Sequence, residues 1–435
     1  MNVQTRYSLL SPFRVKAFLM QWPADLLTNV GIEMEILILG WYILVETQSV
    51  LLLTVFGALR YLGTLIAPLF GMAGDRFGHR NLLCAMRGTY AVLATVMTVL
   101  GFAGLLTPLP IFVAATLAGL VRPSDLAMRN ALVAVIMPGD QLMGAMGVAR
   151  TTADFARIFG PLMGAALIAA TGIGTSYLVI TACYVGGVTL TGVGAAGMAH
   201  RRAAGVGNAS FVKEVAEGVG FVWRTPCAHA GMWLAVLVNA TVLPLTGGLM
   251  PFIAQDVYHL DRIGLGMLAA CFSVGSLIGS VSVSLIGQAM PASRIMLLST
   301  LIWHVAVLGF VLMPSPYSGA VMLVVSGICQ SFCMVPLAVM LLRVSGEQYR
   351  GRVMGVRMFA IYGLPVGLLL AGWLIGHVGF TAMAVGYCVC GFVGTLAIAL
   401  WWWAALWPLT AEANTRRYTS RPTAQPRVKG SAGRY

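Results

Sequence analysis

Gln21, Asp25, Asn29 and Glu33 follow one another at four-residue steps, placing two acids and two amides along one slowly drifting helix face. Arg122, Asp125 and Arg129 recur at i, i+3, i+7, and Arg150, Asp154 and Arg157 at i, i+4, i+7, so each trio shares a helical face. Carboxylates and guanidiniums in such patterns can accept a proton, grip an anionic group or tie helices together. With Glu35 and Arg60 they make ten charged side chains in or at the edge of apolar segments of the first half, whereas the second half has almost none at comparable depth. A charge at bilayer mid-depth costs roughly 2.5–3.5 kcal/mol on insertion scales, so ten unpartnered ones would cost on the order of tens of kcal/mol. They are expected to face water or one another, as in a polar pathway built into one half of a membrane protein.

The elements that position them must be membrane helices. The chain has 435 residues, 59% hydrophobic and 9% charged, and its mean hydropathy is +0.86, which excludes a soluble globular protein. Segments of about 20 apolar residues, enough to cross a bilayer, recur along nearly the whole length. Twelve are expected: 15–45, 50–74, 81–105, 109–136, 142–170 and 175–198, then 226–250, 262–287, 293–313, 317–343, 350–377 and 380–407. The net charge of +13 does not point to nucleic acid, because Lys and Arg collect at alternate loops and both ends while the opposite loops hold only Arg262. That bias places both termini in the cytoplasm. No cleavable signal is expected, because the first apolar segment is too long and too polar. The eight Cys have neither metal-site nor disulfide spacing and read as buried thiols.

Four regions follow: a six-helix bundle (1–198), a cytoplasmic linker with an amphipathic helix (199–225), a second six-helix bundle (226–409) and a basic, disordered tail (410–435). An internal repeat relates the bundles. PGDQLMGAMGVAR (138–150) matches SGEQYRGRVMGVR (345–357) at an offset of 207 residues, a register that also pairs Gly160 with Gly367 and Gly172 with Gly379.

Within the trios, an aspartate flanked by guanidiniums stays ionised while its partners remain, so Asp125 and Asp154 read as gate elements of a cavity-lining network. A static salt-bridge lattice is the alternative. The first span carries no Arg or Lys beyond Lys16, so proton binding is feasible at Glu33 or Asp25. Glu33, nearer mid-membrane, is the preferred carrier, unless a fixed partner such as Arg60 neutralises it. Arg60 either pairs with such an acid or receives an anionic substrate group. Glu35 points about 160° away from Glu33 on an ideal helix and receives no role. In the second half His304 and His377 read as packing residues, and Asn239, Trp303, Gln330, Phe332, Met334, Met358 and Tyr362 as a soft wall for varied organic molecules. No metal, cofactor or catalytic constellation is expected.

The loop after span two reads GMAGDRFGHR, in which Gly71, Asp75, Arg76, Gly78 and Arg80 fit GxxxDRxGxR. This resembles the signature of the major facilitator superfamily. The corresponding loop of the second half lacks the Asp-Arg pair, so a latch made by this motif would be one-sided. Gly160, Pro161 and Gly164 resemble the GPxxGG signature of exporting antiporters, with Ala165 in place of the last Gly. ADLLTNVGIEM, RTTADFARIFGPLMGAAL and GEQYRGRVMGVR resemble the branch that contains enterobactin and macrolide exporters. The resemblance implies an all-α fold of twelve transmembrane helices in two pseudo-symmetric bundles. It also implies alternating access in a bacterial inner membrane and proton-coupled export of a small organic molecule such as a drug or siderophore. A monomer is expected, with substrate, protons and lipid as its partners. Proton-coupled uptake of an organic anion, or a non-transporting receptor or assembly factor, are the alternatives.

Overall fold

The computed structural model describes residues 11–406 apart from 65, 67–69, 71, 72, 75, 139, 140, 195–210 and 287–290. In lipid every backbone polar group must be satisfied within the chain, and helices accomplish this across most of the described residues. The first bundle comprises α1 (Lys16–Thr47), α2 (Val50–Leu59, extended by a 3₁₀ turn Leu62–Thr64), α3 (His79–Phe102) and α4 (Pro108–Ile136). Leu142–Gly194 follows as one helical stretch reversed at Gly172, giving α5 (142–171) and α6 (173–194).

A linker helix α7 (Phe211–Arg224) leads into the second bundle, which begins with α8 (Pro226–Leu243). α8 continues through π-helical turns at Pro244–Gly248 and Ile253–Val257. Next come α9 (Arg262–Ile286) and α10 (Ala292–Leu312). Pro316–Ala360 breaks at Gly346 into α11 (316–345) and α12 (347–360). α12 and α13 (Gly363–Val378) form one span, and α14 (Phe380–Trp401) is the last. Ten helices among the described residues are long and apolar enough to cross a membrane. The reversal at Gly172 and the shorter α2 bring the spans to the expected twelve. Proline at the first turn of α4, α8 and α11 and the Ser49 and Ser315 side chains at helix N-termini mark the starts.

The repeat is visible in the backbone. Gly172 and Gly379 occupy equivalent reversals with φ of 81° and 83°, a conformation that a side chain disfavours. Gly160 and Gly367 are the equivalent close-packing points. An added Cβ would fall 2.6 Å from Glu33 Cβ in α1 at the first, and 2.3 Å from the Ala240 carbonyl oxygen in α8 at the second.

The bundles meet at the end away from the termini. There α2 packs on α13, where a Cβ at Gly372 would lie 2.1 Å from Thr54 Oγ1. Likewise α5 packs on α9, where a Cβ at Gly266 would lie 2.7 Å from Ala165 Cβ. Arg262 donates to the Ile168 carbonyl at 3.2 Å across the same seam. α7 lies against α12 through a Glu217–Arg352 ion pair at 2.6 Å and a stacked Phe221–Tyr349 pair. The tail, and most of the linker before α7, fall outside the described residues.

Candidate functional site

A cavity of about 340 Å³ opens between the bundles. Its first-half wall is charged: Glu33 from α1, Arg60 at the end of α2, Arg122 from α4, and Asp154 and Arg157 from α5, with Tyr61 and Pro161 beside them. Its second-half wall is apolar or weakly polar. Thr246, Gly247 and Gly248 come from the first π-helical turn, Phe272, Ser273 and Ser276 from α9, Gln330 from α11, and Leu364 and Leu368 from α13. The irregular turn lets backbone line the cavity, the setting in which non-helical backbone is tolerated at membrane depth.

Nine of the ten charges divide into two clusters rather than one network, and Glu35 stands apart from both. In the cavity, Arg122 Nη2 stands 4.0 Å from Glu33 Oε1, each side chain about a quarter exposed. Asp154, itself buried, is held by Arg150 at 3.2 Å and Arg157 at 3.7 Å. Arg60 makes no ion pair or hydrogen bond among the described residues, and its Nε is buried without a partner. It therefore does not neutralise Glu33 in this state.

The second cluster is sealed inside the first bundle. Asp25 pairs with Arg87 of α3 and accepts from Gln21 Nε2 at 2.8 Å. Arg87 is fully buried, donates to Thr191 Oγ1 at 2.5 Å and lies 3.9 Å from Asp125. Arg129 is buried beside Asp25. Asp125 thus faces away from the cavity that Asp154 lines, because the i+3 step from Arg122 rotates it into the bundle interior. Asn29 is likewise absent from the cavity lining, and its Nδ2 is buried without a partner.

Sequence reasoning misses two residues. Arg87 is a lone arginine in LCAMRGTYAVL, near the start of a span where a charge looks peripheral; no spacing links it to Asp25, 62 positions earlier. Glu35 points into α6, where Tyr184 donates to it at 2.8 Å and Tyr177 approaches at 3.4 Å. Tyrosine hydroxyls can donate to a carboxylate or accept from a carboxylic acid, so this cradle accommodates either form.

The expected soft wall is largely corrected. Of its seven residues only Gln330 lines the cavity. Trp303 is fully buried, and the Asn239 side chain is turned back to its own helix at Ala235. His304 is buried, its Nδ1 donating to the Thr300 carbonyl at 2.8 Å and its Nε2 3.1 Å from Thr241 Oγ1. His377 is exposed and packs on Trp373. Of the loop motif, Gly71 and Asp75 lie outside the described residues. Arg76 lies over Phe77, Gly78 starts α3, and Arg80 donates to the Gly192 carbonyl at the end of α6. Gly160 and Gly164 seat α5 on α1, and Pro161 reaches the cavity.

Comparison with known proteins agrees with this architecture. The family model described as transmembrane secretion effector matches residues 7–432. The multidrug efflux pump Tap of Mycobacterium tuberculosis is 26% identical over 405 residues, covering 89% of this chain and 94% of the relative. Its counterpart in Mycolicibacterium fortuitum is 25% identical over 386 residues, covering 85% and 93%. Among solved structures, a mutant form of the nucleoside transporter NupG superposes with a TM-score of 0.70 at 12% identity, covering 90% of this chain and all of that one. A D-xylose-proton symporter gives 0.67 at 12% identity over 89% and 97%. These last likenesses are of fold. The chain belongs to the transmembrane secretion effector family of the major facilitator superfamily and is a secondary transporter of the membrane.

Proposed function

We propose that the protein exports small amphipathic organic molecules, drugs among them, in exchange for protons, by rocking two bundles about the central cavity. The observation that carries this reading is the cavity itself. One wall holds an acid, Glu33, loosely met by Arg122 at 4.0 Å, and the other is an adaptable apolar surface. A drug-sized molecule fits a cavity of this volume. The efflux function of the Tap relatives supports the outward direction.

In this mechanism Glu33 exchanges the proton. Protonation cancels its attraction for Arg122, freeing that guanidinium and loosening α4 from α1. Asp154, clasped by Arg150 and Arg157, acts as a gate that parts when α5 moves. Asp25 and Asp125, paired with Arg87 and with Arg129 near Asp25, hold the first bundle rigid, and the segment bearing Arg76 and Arg80 latches its loop end. The positive charge of the loops supports a cytoplasmic location for both termini in a bacterial cell. We take 1–198 and 226–409 as the two moving bodies, joined by 199–225, in a monomer.

Everted membrane vesicles test the reading. Adding an exported drug should dissipate an imposed pH gradient, and Glu33→Gln should abolish that response while the protein remains in the membrane. Retained coupling in the variant removes Glu33 from the mechanism, and drug movement out of everted vesicles reverses the direction.

A further inference from the structure

Charge does not balance on the cavity wall. Arg122 has Glu33, and Arg157 has Asp154. Arg60 has neither an ion pair nor a hydrogen bond among the described residues, although it lines the same cavity. A guanidinium offers five donors and does not lose its proton in proteins. Its place at the C-terminus of α2 gives partial compensation from the helix dipole, but the buried Nε is aimed at no acceptor. Unpartnered cations at membrane depth normally find a counter-charge. Here the described protein supplies none within ion-pair distance, while the space in front of Arg60 is the substrate cavity.

We propose that the cavity selects organic molecules bearing an anionic group, a carboxylate or its equivalent, which Arg60 receives while the apolar body of the molecule rests on the second-half wall. This rests on the cavity being the substrate site, and it adds the chemical class. Arg122 stands ready as a second donor: once Glu33 is protonated, Arg122 loses its carboxylate partner and can turn to the same anion. Proton entry and anion grip are thereby alternatives at one guanidinium. The facing wall, built around Phe272, Leu364 and Leu368, offers no acid to compete for the anion and suits a ring or short chain. Planar guanidinium geometry favours two-point contact with a carboxylate over a single contact with a neutral amide.

The test uses dansylglycine and its neutral counterpart dansylglycinamide, with the purified full chain in phosphatidylcholine nanodiscs. Energy transfer from tryptophan to the dansyl group reads binding. The acid should bind at least about tenfold more tightly than the amide, as expected for one charge-assisted contact. Arg60→Gln should erase that ratio, and Arg60→Lys should keep part of it. Arg122→Gln should reduce the ratio less, because Arg122 already has a partner. Equal affinities, a preference for the amide, no binding of either probe, or an acid preference that survives Arg60→Gln each overturn the proposal. The ratio in the native chain decides the matter even if the Arg60 variants fail to fold. Nanodiscs containing phosphatidylglycerol separate solute from lipid: loss of the acid preference only there assigns Arg60 to an anionic headgroup and overturns the solute assignment. The binding ratio is independent of flux. Failure of vesicle transport with an intact ratio strikes the export reading alone, and the converse strikes this site alone.

Discussion

Gly160 of α5 packs against Glu33 of α1, and 207 residues later Gly367 of α13 packs against Ala240 of α8, itself 207 residues after Glu33. The same register carries Arg157 to Leu364, Pro161 to Leu368 and Ile36 to Leu243, and all six of these residues line the cavity. Asp154 becomes Ile361, and Arg122 becomes Cys329. Both halves therefore retain the glycine contacts that set helix spacing, while the charged residues of the cavity lining come from one half only. Backbone symmetry gives two bodies that can rock about similar contacts, and the chemical asymmetry gives one body the charges and the other the adaptable surface. A wall charged on both sides would have to desolvate twice as many groups each time the cavity closed.

The largest expected effect breaks this comparison in the interior. Arg87→Met removes the buried cation that pairs with both Asp25 and Asp125 and leaves only Arg129 nearby, and removing one partner of a buried pair costs about 3–5 kcal/mol. Thermal unfolding in detergent should show it, and adding Asp25→Asn should recover part of the loss. The nearest counterpart in the second bundle, Thr241→Val beside His304, removes a neutral contact and should cost about 1 kcal/mol. Equal losses in the two bundles would mean that the Asp25–Arg87 pair is not the keystone of the first.

The paired glycines sharpen the comparison at the next level. Gly160→Ala and Gly367→Ala each force helices apart, costing about 1–3 kcal/mol as overpacking usually does. Their stability losses should be alike and their transport phenotypes should differ. At Gly160 the added methyl meets Glu33, so proton-coupled flux in vesicles should fall further than stability explains. At Gly367 it meets backbone, so flux should follow folded protein. Similar flux losses per folded molecule would separate Glu33 from coupling.

The fold is readable in the sequence because bilayer thickness constrains apolar runs and the positional charge bias is coarse. Both survive errors of several residues, and the repeat is countable at Gly172 and Gly379. The site is legible only in part. Helical spacing identifies the Arg122 and Arg150 trios, yet spacing along one helix cannot say which neighbour that helix meets. Asp125 and Asp154 consequently fall in different clusters, and Arg87, with no acid on α3 at helical spacing, carries no signal of its own. Glu35 gains no role from spacing because it diverges from Glu33, although the divergence delivers it to Tyr177 and Tyr184. The π-helical turn at Pro244–Gly248 leaves only PLTGG as a trace, and Trp303 resembles a wall residue because aromatic content does not reveal which face is buried.

Glu35 offers a smaller and more pointed test. Tyr184→Phe removes the 2.8 Å hydrogen bond and leaves the 3.4 Å approach of Tyr177. The cost should be about 1.5–3 kcal/mol if Glu35 is ionised and nearer 1 kcal/mol if it is neutral. Measuring unfolding of Tyr184→Phe against Tyr184→Phe/Glu35→Gln distinguishes these states, since the second substitution should be nearly silent on a neutral carboxyl.

The smallest effect lies where the linker meets the second bundle. Glu217 and Arg352 approach to 2.6 Å, but their side chains are 37% and 29% exposed. Such pairs contribute about 0.2–1 kcal/mol and fade with salt. Phe221 stacked on Tyr349 at 4.9 Å removes apolar area from water and adds about 0.5–1.5 kcal/mol beyond that burial. Docking of α7 should therefore survive Glu217→Gln and weaken with Phe221→Ala, as read by protease cleavage within the linker. If Glu217→Gln instead released α7 and high salt reproduced that release in the native chain, charge would hold the linker, and the second bundle would owe its attachment to the same kind of interaction that organises the first.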